Sequence, residues 1–221
     1  MRSVFTLDEN WKFHLGDIVD KDKNSHAQTY SHCKAGGIEG PAGRIYDDAD
    51  WQRVDLPHDY LAYSGFSADN LSSHGYRYRD NAWYRKTFVL GEELKGKHAY
   101  LCFEGTAVNA EFYFNGSLAA HSYSAYVETG IDITDRIQYG LAGVNTLAVH
   151  INGLATEGWW YEGAGIYRHV RLYIKEPLHI AHNGVFIKPV KTSEEAWTVY
   201  IETQAENSAY ENGRAKAVVE L

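Results

Sequence analysis

Short runs in which apolar and polar residues alternate, each closed by Gly, Asn or Asp, recur along the chain, and helical periodicity is almost absent. In 145–151, Leu147, Val149 and Ile151 point one way while Ala148 and His150 point the other. In 168–174, Val170, Leu172 and Ile174 alternate with His169, Arg171 and Tyr173. Leu101 and Phe103 share one face of their run, as do Phe112 and Phe114. Side chains of a strand change face at every residue, so each run reads as a half-buried antiparallel strand. Many such strands with turn residues between them predict an all-β sandwich or barrel. Asn115–Gly116, between EFYF and SLAAHS, is the strongest hairpin signal, because both residues tolerate the positive φ of a type I′ turn.

Composition narrows the function classes. The 221 residues carry 21 Lys plus Arg against 29 Asp plus Glu, a net charge of −8, with no basic run to offset it. Such a chain repels phosphate backbones, so no nucleic-acid partner is expected. No apolar run approaches the ~20 residues that span a membrane, and no membrane partner is expected either. No basic segment leads into an apolar core at the N-terminus, so no signal peptide is visible, and the compartment stays open. Cys33 and Cys102 are too few for a disulfide framework, although one bridge is open to them. Aromatic residues reach 14%, which suits strands, flat apolar ligands or both.

Two stretches depart from the alternating pattern. Residues 17–50 are polar, glycine-rich and without period, and a loop of that length is either functional or poorly ordered. After Pro177 the aromatic density falls, and GVFIKPV, WTVYIET and AKAVVEL read as three further strands. Three strands cannot close a sandwich of ~100 residues. The chain is therefore divided into a sandwich over 1–176 and the opening strands of a second β domain over 177–221.

Four segments could carry chemistry. EGWWYEGAGIYR, 157–168, holds three consecutive large aromatics, which in extended chain cannot all face one core. Glu157, Trp159 and Trp160 are its candidates for contact with a sugar: rings stack on the C–H face of a pyranose, and a carboxylate accepts its hydroxyls. The glycines of GAGIYR precede a strand rather than a helix, which fails the dinucleotide fingerprint and favours a tight turn with close backbone packing. DLPHDY, 55–60, places His58 beside Asp59, but neighbours on extended chain face opposite ways, so a His58 bonded into the sandwich wall is favoured over a relay. In GYRYRDNAWYRKTF, 75–88, Arg79, Asp80 and Asn81 fall at an expected loop tip, where they either meet a polar ligand or stay solvated. His26, His32 and Cys33 lie together with a spacing that fits no standard metal motif, so neither metal nor cofactor is expected.

The segments LDENWKF, WQRVDLPHDY, GYRYRDNAWYRKTF, LCFEGTAVNAEFYFNG, DITDRIQYGLAGVNTLAVHIN and WWYEGAGIYRHVRLYI occur in that order. Together they resemble the N-terminal sugar-binding domain of glycoside hydrolase family 2, the β-galactosidase, β-glucuronidase and β-mannosidase family, over residues 4–176 apart from the 17–50 segment. The GWWYEGAGIYR form is most similar to the bacterial β-galactosidase-like branch. Residues 177–221 resemble the start of the immunoglobulin-like domain that follows in that family.

The resemblance implies a jelly-roll sandwich, galactose-binding-domain-like, followed by an incomplete immunoglobulin-like sandwich. It also implies a retaining β-glycosidase whose acid/base and nucleophile Glu both lie on a TIM barrel of the same polypeptide, third after two β domains. No catalytic residue is then expected in this chain, and its partners are that barrel and a β-linked saccharide, with a homo-oligomer left open. Where the family offers an Asp to the sugar hydroxyls this chain has Trp159, so either Glu157 supplies that contact or Trp159 stacks. The resemblance brings Arg79, Asp80 and Asn81 to the mouth of the sugar site. The alternative is a stand-alone carbohydrate-binding module, since many such modules share the jelly roll.

Overall fold

The computed structural model describes residues 2–18, 40–72, 75–154, 163–209 and 211–220. Twelve strands run through them: β1 Arg2–Thr6, β2 Trp11–Leu15, β3 Gln52–Val54, β4 Ala82–Phe88, β5 His98–Phe103, β6 Ala110–Phe114, β7 Ser117–Ser122, β8 Thr129–Asp132, β9 Asn145–Ile151, β10 Val170–Lys175, β11 Leu178–Lys191 and β12 Trp197–Asn207. Ten of them build two antiparallel sheets, β1-β10-β5-β8 and β3-β2-β4-β9-β6-β7, and β11 pairs with β12 alone. The chain is all-β, with one short 3-10 turn at Glu92–Leu94 among the named elements. Among the described residues no helix is long and apolar enough to cross a membrane.

The core lies between the two large sheets. Leu101, Phe103, Val170, Leu172 and Ile174 come from one sheet; Trp11, Tyr84, Phe112, Phe114, Leu147, Val149 and Ile151 come from the other. Phe103 and Phe112 meet across the layer at 4.6 Å between ring centroids, tilted by 55°. Burying one such side chain contributes about 1.5–3 kcal/mol. The β6–β7 hairpin turns on Asn115 (φ 49) and Gly116 (φ 84), the two positive φ values that a type I′ turn needs. Asn115 also accepts the Thr146 amide at 2.8 Å through Oδ1, which ties the turn to the neighbouring strand β9.

Three expectations are corrected. The outward face of β9 is covered as well: Ala148 is fully buried, and Trp83 packs its ring 4.6 Å from His150. On this face Trp83 of β4 and Tyr113 of β6 bring their rings to 6.0 Å and flank the small Ala148 between them. Among the described residues beyond 177, two strands form rather than three. The expected second-domain strand GVFIKPV is part of a longer β11 that starts at Leu178, and residues 215–220 of AKAVVEL form no strand. Of the polar 17–50 segment, read as either functional or poorly ordered, residues 19–39 lie outside the described residues, and its described end is held rather than loose. Arg85, on β4 and 1% exposed, donates to Asp48 Oδ2 at 2.8 Å, to the Gly43 carbonyl at 2.9 Å and to the Pro41 carbonyl, which fixes 40–48 against the sheet. Its guanidinium lies 5.4 Å from the centre of the Tyr46 ring. A buried cation needs such a full set of partners, since an unpaired one costs several kcal/mol.

Candidate functional site

The site grows from one end of the strands of the six-stranded sheet, where β2 and β9 finish and β4 begins, and where three segments meet: 57–66, 75–81 and the two ends of the segment running from 154 to 163. Asp59 organises the first. Its Oδ1 accepts the amides of Leu61 at 3.0 Å and Ala62 at 3.3 Å, closing a turn, and the Ala164 amide at 3.1 Å. The backbone adds His58 N–H to Ile166 O at 2.8 Å and Tyr60 N–H to Ala164 O at 3.0 Å. On the other side, 165 exchanges both hydrogen bonds with Ala107, at 2.8 and 2.9 Å. Residues 163–166 are thus clamped as an extended stretch. Gly165 has φ +129, and a Cβ there would stand 2.3 Å from the His58 carbonyl oxygen. The glycines of GAGIYR therefore do serve close backbone packing.

Arg79, Asp80 and Asn81 do not sit at a loop tip: they lead directly into β4. Arg79 Nε donates to the Gly153 carbonyl at 2.9 Å. Asp80 takes the Tyr78 hydroxyl on Oδ2 at 2.8 Å and the Asn81 amide on Oδ1 at 2.8 Å, and its carbonyl accepts the Tyr60 hydroxyl at 2.7 Å. Asn81 is buried; its Nδ2 donates to Asp17 Oδ2 at 2.6 Å and its Oδ1 accepts the Leu154 amide at 3.4 Å. Gly153 passes so close that a Cβ would meet the Asp80 carbonyl oxygen at 2.1 Å. Both ends of the aromatic segment are therefore held, one by Arg79 and Asn81 and the other by Asp59. Glu157, Trp159 and Trp160 lie outside the described residues.

Beside these anchors is a cleft of about 710 Å³ lined by Phe13, Leu15, Pro57, His58, Tyr60, Tyr63 and Tyr78 among others. That is the size and apolar character of a small-ligand cleft. His58 Nδ1 lies 2.7 Å from the Tyr84 hydroxyl, and its ring is stacked on Tyr63 at 5.9 Å. Burial lowers the His58 pKa, opposed by the Asp59 carboxylate, so the imidazole is neutral near pH 7. Burial likewise raises the Tyr60 and Tyr84 phenols above their ordinary value. His58 is bonded into the wall and forms no relay with Asp59, whose Oδ1 is spent on backbone amides. Arg77 fixes the rim: Nη1 donates to the carbonyls of Leu61, Ala62 and Ser64 at 2.9, 3.0 and 2.8 Å, and the guanidinium lies 4.3 Å from the centre of the Phe66 ring.

Sequence reading missed Asp17, Tyr60 and Tyr63. Asp17 is 64 residues from Asn81, and no spacing rule links the two. The tyrosines carry a signal only in hindsight of the turn that Asp59 closes, because an exposed Tyr and a cleft Tyr look alike in sequence.

Comparisons with known proteins bear on the family and the fold. The family model for the glycosyl hydrolase 2 galactose-binding domain-like domain matches residues 54–179, more than half of the chain. A β-galactosidase of Bacteroides ovatus is 30% identical over 215 residues, 96% of this chain and 22% of the relative. A β-glucuronidase of Formosa agariphila is 28% identical over 203 residues, 80% of this chain and 20% of the relative. The crystal structure of a β-glycosidase from Bacteroides vulgatus superposes with a TM-score of 0.79 at 27% identity, covering 95% of this chain and 25% of that one. The chain thus spans about a fifth to a quarter of the length of these proteins. A sandwich with these motifs in this order, matched by the family model over residues 54–179, belongs to glycosyl hydrolase family 2.

Proposed function

We propose that this chain is the non-catalytic N-terminal part of a retaining β-glycosidase of the β-galactosidase type, whose sandwich packs on a TIM barrel and shapes the mouth of its sugar site. One observation carries the reading: Arg79, Asn81 and Asp59 hold both ends of the segment that contains Glu157, Trp159 and Trp160, beside an aromatic cleft. A rigid frame around a Trp- and Glu-bearing segment suits a surface that stacks on a pyranose and accepts its hydroxyls. The names of the relatives support hydrolysis of O-glycosyl bonds. Large rings beside the cleft support a docked barrel: Tyr63 is 77% and Phe66 72% exposed, with Tyr76 and Tyr78 also at the surface. Apolar exposure of this kind marks an interaction face.

No carboxylate of the site is assigned to catalysis. Retaining hydrolysis needs two carboxyl groups about 5–5.5 Å apart and free to act on the substrate. Asp59 is bound by three amides, and Asp80 by a phenol and an amide.

The test uses chromogenic β-galactoside, β-glucuronide and β-mannoside. The 221-residue chain is expected to hydrolyse none of them, while the full-length product of the same gene hydrolyses at least one with retention of configuration. Turnover by the chain alone that disappears on mutating its own carboxylates overturns the reading. Saccharide binding by the chain alone that is clearly tighter than ~1 mM, worth more than ~4 kcal/mol, favours the stand-alone binding module instead.

A further inference from the structure

Far from the aromatic cleft, three side chains from three elements converge on the outer face of the four-stranded sheet. Leu101 and Phe103 of β5 point into the core, so Cys102 between them points outward, where it is a free thiol only 1% exposed. What covers it is the start of β11 together with Glu128, just before β8. Cys102 Sγ lies 3.5 Å from Glu128 Oε2, and His182 Nε2 lies 2.9 Å from Glu128 Oε1. The ligand atoms of all three lie within 4.8 Å of one another. We propose that Cys102, Glu128 and His182 form a binding site for a divalent cation of the zinc class, which fastens the β11–β12 ribbon to the sandwich.

The chemistry of the set selects the ion. A thiolate, an imidazole and a carboxylate together suit a borderline-soft cation and disfavour calcium or magnesium, which take oxygen ligands. Zinc bonds of about 2.3 Å to sulfur and about 2.0–2.2 Å to nitrogen and oxygen place tetrahedral ligand atoms roughly 3.3–3.6 Å apart. The observed separations bracket that range, so small side-chain rotations suffice. Binding replaces the S–H bond by an S–metal bond and releases the proton to water. Three protein ligands leave a fourth position for water, and the solvent side is open: Glu128 is 41% and His182 21% exposed.

The surroundings orient the ligands. Asn183 Nδ2 donates to Glu128 Oε1 at 2.7 Å, which turns Oε2 toward the thiol. The His182 ring packs 4.6 Å from Tyr100 and 5.5 Å from Tyr173, both on the same sheet face. Partners that hold a ligand in place are typical of metal sites and are worth ~10–100-fold in affinity. His182 and Asn183 also line a cleft of about 730 Å³ between ribbon and sandwich, through which an ion reaches the imidazole. No sequence spacing announces the site: Glu128 is 26 residues from Cys102 and 54 from His182.

The test titrates the 221-residue chain with Co(II), follows the near-ultraviolet thiolate-to-cobalt charge-transfer band, and then displaces Co(II) with Zn(II). One equivalent is expected to bind. The band should vanish in Cys102→Ser and persist in Cys33→Ser, which removes the other thiol. His182→Ala, on the ribbon and outside the sandwich core, should weaken binding at least ~10-fold with the far-ultraviolet circular dichroism unchanged. Zinc should also raise the melting temperature of the parent chain and not of His182→Ala. No band in the parent chain, a band that survives Cys102→Ser, or an affinity indifferent to His182→Ala overturns the site; a parent melting temperature indifferent to bound zinc overturns the fastening.

Discussion

At the scale of single residues, the site depends on groups kept neutral or fully paired rather than on reactive ones. His58 in the site, and His98 outside it on β5 against His179 of the ribbon, both have lowered pKa values, in each case first through burial; Asp59 opposes the shift at His58 and Asp132 opposes it at His98. The unfolded chain, with ordinary imidazoles near 6.5, therefore binds protons more readily than the fold. The stability that the neutral rings confer is fully present above about pH 6.5 and is lost as pH falls through their lowered folded values. The melting temperature is expected to drop between pH 7 and pH 5, and His58→Asn is expected to flatten that drop. Equal slopes for parent and variant would remove His58 from the account. Cys102 behaves in the same spirit: burial, with Glu128 beside it, pushes the thiol up to about 12, so without a cation it is an inert hydrogen-bonded group.

At the scale of elements, the frame of the site is a set of close backbone passages that only glycine allows. Gly165 combines φ +129 with a Cβ position 2.3 Å from the His58 carbonyl and 2.6 Å from the Tyr84 hydroxyl. Strain at such a φ and overpacking each cost ~1–3 kcal/mol, so Gly165→Ala should lose about 3 kcal/mol or more in a denaturant melt. A loss under about 1 kcal/mol would show that 163–166 is not clamped as described. The strands themselves are legible in the sequence because period-2 alternation is a local signal. Leu147, Val149 and Ile151 announce β9, and Asn115–Gly116 announces its neighbouring hairpin. What is not legible is whatever depends on distant chain. Nothing in the sequence marks Arg85 as buried, yet residues 41–48 enclose it; the 215–220 stretch reads as a strand, because alternation says nothing about whether a partner exists. The site is legible in part: Asp80 and Asn81 stand out as polar residues ahead of β4, while their ties to Tyr78 and Asp17 depend on the fold.

At the scale of the molecule, two antiparallel sheets enclose one core, and the site lies at the strand ends of the six-stranded sheet, where residues 154 and 163 are anchored, beside exposed aromatic rings. The metal cluster lies on a different face, against the ribbon, so the two proposals are independent: one concerns a sugar site completed by a barrel, the other the fastening of the next β unit. The family comparison supports the first, and the chain's share of about a fifth to a quarter of its relatives' length is in keeping with the proposal that hydrolysis belongs to another part of the polypeptide. On that proposal, the sandwich contributes binding of the sugar in the transition state through the segment it frames. The most direct measurement is kcat/KM of the full-length enzyme carrying Trp159→Ala. A fall of ~10-fold or more is expected, equivalent to ~1.4 kcal/mol of lost transition-state stabilisation, with the melting temperature of the enzyme unchanged. An unchanged kcat/KM would contradict a sugar site shaped by this domain.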